Sequence, residues 1–219
     1  MVSDSIAPDR PFFTPSPRVA GDWSAHIATS LDRTADVLVG FDEAQWSAPS
    51  LCEGWTVRDV VGHLVWRVGA PSGEMLSTAS KAYFGHHVSP DRAIDDLART
   101  EAEAPTAALV ADLRRIADTK MQGIGRTGIT ELTEVVVHAF DITEALGVPL
   151  RLSPRSTSAV AVARTRIPFS AARRAVASST LCASDARWCI GRGPRREATA
   201  GRLIAALFGR LPLPPVTSD

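Results

Sequence analysis

Two apolar helical stretches of this chain carry ionisable residues at positions that would ordinarily be filled by a hydrophobic core. His63 sits inside Val60-Val61-Gly62-His63-Leu64-Val65. Glu134 and His138 flank Val135-Val136-Val137, and Ala139-Phe140 follow. Residues four apart on a helix lie one above the other on the same face, so Glu134 and His138 can present an oxygen and an imidazole nitrogen to one point. A buried carboxylate and two buried imidazoles are costly unless paired or ligated. The helices that carry them must therefore meet. Either the three groups share a divalent cation with an open coordination position, or they form a buried hydrogen-bonded network. The residues alone leave those alternatives even.

The surrounding pattern is helical. Trp23, Ile27, Leu31, Ala35 and Leu38 recur at helical spacing over about 22–39. Trp46 to Trp55 reads as a structured loop broken by Pro49 and Gly54, with the two tryptophans as its anchors. Thr56 then caps a helix over 57–69, and Asp59 completes a weak capping box, which explains Asp59 without a role at His63. The stretch 70–88 is irregular and contains His86-His87, read as solvated. Helices restart at Pro90 and around Pro105, and a Gly-rich loop (Gly123, Gly125, Gly128) precedes the last long helix, 129–146. Gly147 ends that helix and Pro149 blocks its continuation. Four such helices make an antiparallel four-helix bundle the natural architecture. Past Ser153 the pattern changes to a helix over 156–166, a hairpin within 178–193 turning at Asp185-Ala186, a strand at 195–198 and a helix over 199–209. We therefore expect a mainly α chain: a disordered leader over 1–18, the bundle over 19–150, and a small α+β C-terminal domain over 151–219 packed upon it.

An apolar fraction of 45% and a charged fraction of 22% are those of an ordinary globular protein. No apolar run approaches the ~20 residues of a membrane span, and the leader lacks the apolar core of a secretory signal. A cytoplasmic protein, monomer or homodimer, is expected. Net charge is zero but uneven. After Leu150, twelve Arg stand against Asp185, Glu197 and Asp219, so this part carries +9 (12 − 3) and the first 150 residues −9. Without interleaved stacking aromatics this pattern disfavours nucleic acid as a partner. It suits docking on the acidic half, or drawing an anionic ligand to the site. Three Cys and no C-x-x-C argue against a Cys-type zinc site. A two-residue turn at Asp185-Ala186 would make Cys182 and Cys189 a hydrogen-bonded pair, where cross-strand sulfurs fit poorly, so free thiols are expected. His26 reads as a surface or boundary residue. Asp141 shares the face of Glu134 and His138; it either orients an imidazole or lies at the bundle edge, and the former is preferred.

The run Trp46-x(3)-Ser50-Leu-Cys52-x-Gly54-Trp55-Thr-Val-Arg58-Asp59-Val-Val-Gly-His63-Leu64, with Glu134-x(3)-His138-x(2)-Asp141 and Leu146-Gly-x-Pro149, resembles the mycothiol-dependent maleylpyruvate isomerase family, within the DinB-like group of thiol-dependent metalloenzymes. The segment from Cys182 through Trp188, Gly191 and Gly193 to Arg202 and Arg210 resembles that family's C-terminal domain in a shorter, looser form. The resemblance implies a DinB-like four-helix bundle with a metal, zinc by default, held by His63, Glu134 and His138. It also implies mycothiol as co-substrate. The metal would activate that small-molecule thiol for attack on an electrophile, in an isomerase or an S-transferase. Two other readings stay open: a metal-dependent hydrolase, and a non-catalytic metal-containing sensor or binding protein. No individual catalytic residue is assigned, though an Arg of the basic C-terminal segment could hold a substrate carboxylate.

Overall fold

The computed structural model describes residues 12–14, 19–70 and 90–217. In chain order they form α1 (Ser24–Leu38), a short α2 (Glu43–Ser47), α3 (Val57–Gly69), α4 (Pro90–Ala102), α5 (Thr106–Met121), α6 (Ile129–Leu146), α7 (Pro154–Thr165), α8 (Ala171–Ser178), β1 (Thr180–Ala183), β2 (Trp188–Gly191), β3 (Arg195–Ala198) and α9 (Ala200–Leu207). The chain is mostly helical with a small C-terminal sheet, as expected. Most of the expected disordered leader lies outside the described residues. So does the irregular stretch with His86 and His87, apart from Ala70.

Helices α1, α3, α5 and α6 pack around one apolar core that includes Ile27, Leu31, Val61, Leu64, Leu113, Val136 and Phe140. Pro105 separates α4 from α5, and α4 packs against α3. That approach is close: a Cβ at Gly62 would lie 2.5 Å from the Ala98 carbonyl oxygen. The start of α3 is fixed by a full capping box. The Thr56 hydroxyl accepts from the Asp59 N–H, and the Asp59 carboxylate accepts from the Thr56 N–H at 2.8 Å. The far end of α6 is closed by Gly147 in the left-handed conformation, at φ +64°.

The same core runs on into the C-terminal segment through Leu152, Ala159, Val160 and Ile204. Gly201 brings α9 onto α6 so closely that a Cβ there would lie 2.7 Å from the Phe140 ring. A second cluster surrounds Trp188, whose indole N–H donates to the Thr157 hydroxyl at 2.9 Å. The sheet has the order β2-β1-β3, with β1 antiparallel to β2 and parallel to β3. Both edges are covered by chain ends, Phe13 bridging Trp188 and Val216 bridging Arg196. The guanidinium groups of Arg187, in the β1–β2 turn, and Arg195, in β3, lie 5.0 and 4.5 Å from the Phe12 ring, fastening this N-terminal segment to the sheet. Among the described residues, no helix is long and apolar enough to cross a membrane.

The expectation of free thiols at Cys182 and Cys189 is corrected: the two are joined in a disulfide. Their register is the expected one, but the turn is four residues long, Ser184 to Arg187, with Arg187 at φ +54°. The longer turn inverts which cross-strand pairs exchange hydrogen bonds. The Cα separation of 4.2 Å is that of a closely spaced, non-hydrogen-bonded pair, where two Cβ atoms can be bridged. Reduction is expected to lower stability by about 2 kcal/mol, the chain-entropy effect of so short a loop. A denaturation midpoint that ignores reductant would show that packing alone holds the hairpin. Cys52 is the free cysteine among the described residues.

Candidate metal centre

Helix α3 delivers His63, flanked by core residues and itself only 6% exposed. Helix α6 delivers Glu134 and His138 one turn apart, while Val135, Val136 and Val137 between them bury into the core. The helices meet as the pattern requires. The Glu134 Oε2 atom lies 3.3 Å from His63 Nε2 and 3.5 Å from His138 Nε2. All three candidate donor atoms lie within 4.8 Å of one another. Donors held tetrahedrally at about 2.0–2.1 Å from a zinc ion stand about 3.3 Å apart, so this set fits such a cation.

The orientation of His138 fits as well. Its Nδ1 lies 3.0 Å from Asp141 Oδ2. An ionised carboxylate can only accept, so the Nδ1–H donates to Asp141, and Nε2 is the ring nitrogen turned toward the shared point. Asp141 is buried and also accepts from the Cys52 thiol at 3.0 Å and from Arg210 Nε at 3.3 Å. Asp141→Asn is expected to weaken metal affinity by about 10- to 100-fold. Competition with a chromophoric chelator measures this, and an unchanged affinity would leave the Asp141 contact without a role in ligation.

Cys52, His138 and Asp141 form a second cluster of possible ligands. There, however, the Arg210 guanidinium already supplies positive charge, with Nη2 3.3 Å from the Cys52 sulfur. We read that cluster as a hydrogen-bonded support. The loop carrying Cys52 is set by the Leu51 N–H, which donates to the Asp141 carbonyl at 2.9 Å, and by a tight turn at Gly54, φ +78°. Arg210 is aimed by the end of α9. Gly209 at φ +79° lets the Gly209 and Arg210 amides donate back to Ala206 and Ala205, a Schellman closure.

Charge is tightly coupled here. Burial raises the Glu134 carboxyl, but hydrogen bonds from His138 and His63 outweigh it and hold the group far below the usual carboxylate range. Asp141 is likewise pushed up by burial and brought down further by His138. Burial lowers His63. It also disfavours protonated His138, yet bonds to Asp141, Cys52 and Glu134 raise that imidazole well above its ordinary value. A cation taking Nε2 of His138 must displace a proton, so its binding tightens as pH rises.

These groups line an open cleft of about 440 Å³, bounded by Cys52, Glu53, Trp55, His63, Ile94, Glu134, His138 and Arg210. Trp55 forms one wall, its ring 5.1 Å from His63 and stacked on His138 at 6.4 Å. Trp46 is a core anchor instead, buried and away from the cleft. His26 lies elsewhere, half-buried and bonded to Ser156 at 3.0 Å. Sequence reasoning did not single out Cys52, Trp55 or Arg210 as site residues. No spacing rule links Arg210 to Cys52 or Asp141; only the fold brings them together.

The mycothiol maleylpyruvate isomerase N-terminal domain family matches residues 27–143, over half of the chain. Two solved structures are similar in fold: crystal structures of the mycothiol-dependent maleylpyruvate isomerase, one of them a histidine-to-alanine mutant. They are 14% and 13% identical in sequence, with a TM-score of 0.47 each, covering 88% of this chain and 95% of theirs. None of the curated proteins matches the chain.

Proposed function

Because the chain belongs to the mycothiol maleylpyruvate isomerase N-terminal domain family, we propose that it is a mycothiol-using metalloenzyme whose metal is held by His63, Glu134 and His138. The observation that carries this reading is the convergence of two imidazole Nε2 atoms and one carboxylate oxygen at the floor of an open cleft. When bound there, a divalent cation, zinc by the chemistry of the donors, keeps a thiol deprotonated near neutral pH. The remaining tasks fall to side chains. Asp141 fixes the tautomer and tilt of His138. The Trp55 wall keeps water from one side of the cleft. Arg210 faces the same space from the C-terminal segment, where its guanidinium can pair with a carboxylate or enolate of the electrophile.

In the isomerase form of the reaction, the thiolate adds to one carbon of a cis double bond activated by a carbonyl. The electron pair moves onto the carbonyl oxygen as an enolate, and rotation occurs about the new single bond. Return of the electron pair expels the thiolate and leaves the trans product. No atom is gained or lost. In a transferase form the adduct itself leaves as an S-conjugate.

The test is turnover of maleylpyruvate, and of chlorodinitrobenzene as a general electrophile, by metal-loaded protein with and without mycothiol. Turnover that requires both metal and thiol supports the proposal. Metal-dependent hydrolysis without thiol would replace it with a hydrolase, and no thiol-dependent turnover on either electrophile would remove the transferase and isomerase readings.

A further inference from the structure

Behind the three candidate ligands lies a partly buried ionic layer that the reaction described above does not use. Arg67 stands one turn beyond His63 on α3, and Glu131 one turn before Glu134 on α6. Their side chains are 18% and 7% exposed. One guanidinium nitrogen of Arg67 lies 3.3 Å from Glu131 Oε1, and the other lies 3.9 Å from Glu134 Oε1. Arg126 also binds Glu131, its Nε 2.8 Å from the same oxygen. Arg126 then ties the end of α3 to the start of α6 through the Ala70 carbonyl, at 3.2 Å. The buried Lys120 ammonium donates to the Arg126 carbonyl at 3.0 Å and fixes that loop. Arg67 is thereby clamped with its charge on the outer oxygen of Glu134, leaving Oε2 facing both imidazoles.

We infer that Arg67 is a positioning residue that acts through Glu134: its fixed positive charge strengthens the hold of the loaded site on an anion, namely the thiolate co-substrate. The inference rests on the metal–thiol reading. A cation behind a ligating carboxylate offsets part of the negative charge which that carboxylate contributes. The potential at the mouth of the site is then more positive than the two imidazoles and one carboxylate alone would leave it. Metal affinity is a poor reporter of this effect. Arg67 repels the metal but also orders its ligand, and the two contributions oppose each other. Affinity for an anion has one sign.

The experiment titrates N-acetylcysteine into cobalt-loaded protein at fixed pH, followed by the visible absorption of the cobalt. Arg67→Met is expected to weaken thiol binding by about three- to tenfold, the size of one unit charge set back behind a carboxylate in a partly buried site. Arg67→Lys, which keeps the charge but cannot span two carboxylates, is expected to stay within about twofold of the parent. Glu131→Gln removes a negative charge from the same layer and is expected to tighten thiol binding, and it serves if Arg67→Met does not fold. A layer that only supports the fold would weaken binding in all three variants. That result, or an Arg67→Met affinity equal to the parent's, overturns the inference while the metal–thiol reading stands. A parent that takes up no cobalt, or whose cobalt binds no thiol, overturns both.

Discussion

Replacing His138 with alanine is expected to lower metal affinity on the order of 10³-fold and to reduce thiol-dependent turnover to the metal-free background. Structural zinc sites with four ligands bind with apparent free energies of about 10–16 kcal/mol, so one donor among three is worth several kcal/mol. The fold should survive. His138 is exchanged for a better helix former, and Asp141 keeps Cys52 and Arg210 as partners. The loss would therefore appear in metal content and activity while far-ultraviolet circular dichroism stays the same. Full metal occupancy in a folded His138→Ala protein would remove this residue from the ligand set.

The second large effect concerns stability. Trp188 is fully buried at the centre of the C-terminal cluster, among Leu181, Leu203 and Leu207, with its N–H satisfied by Thr157. Trp188→Ala removes the largest side chain of that cluster and leaves the Thr157 hydroxyl without its donor. A cost of about 3–5 kcal/mol is expected, seen as a fall in melting temperature of roughly 6–20 °C. Because α9 also packs on α6 and its end aims Arg210 into the cleft, the electrophile's KM should rise well before the protein unfolds. A shift of a degree or two would mean that the sheet contributes little to the fold and that Arg210 is held by α6 alone.

Much of this was legible in the residues. Helix periodicity and breakers placed α1, α3 and α6 within a residue or two, because each has a periodic apolar stripe and, in two of them, a recognisable end: the Thr56–Asp59 box and Gly147. Glu134 and His138 were readable from local spacing, since α6 alone fixes their relation. His63 was readable because an imidazole inside Val60–Val65 demands a partner. The turn between β1 and β2 was misjudged by two residues. Side-chain alternation is the same for a two-residue and a four-residue loop in this register, whereas the hydrogen-bonding parity is not, and parity decides whether sulfurs can bond. Arg210 and Arg67 were hidden for a different reason. Arginine is the common cation of this chain, and nothing local distinguishes the two that face Asp141 and Glu134 from the others.

The most direct measurement is anomalous scattering from crystals of the zinc-loaded protein, collected on both sides of the zinc absorption edge. One peak per chain is expected, within bonding distance of the Nε2 atoms of His63 and His138 and of Glu134 Oε2. A peak seated instead between Cys52 and Asp141, or no peak at a protein-bound position in metal-replete crystals, would contradict it.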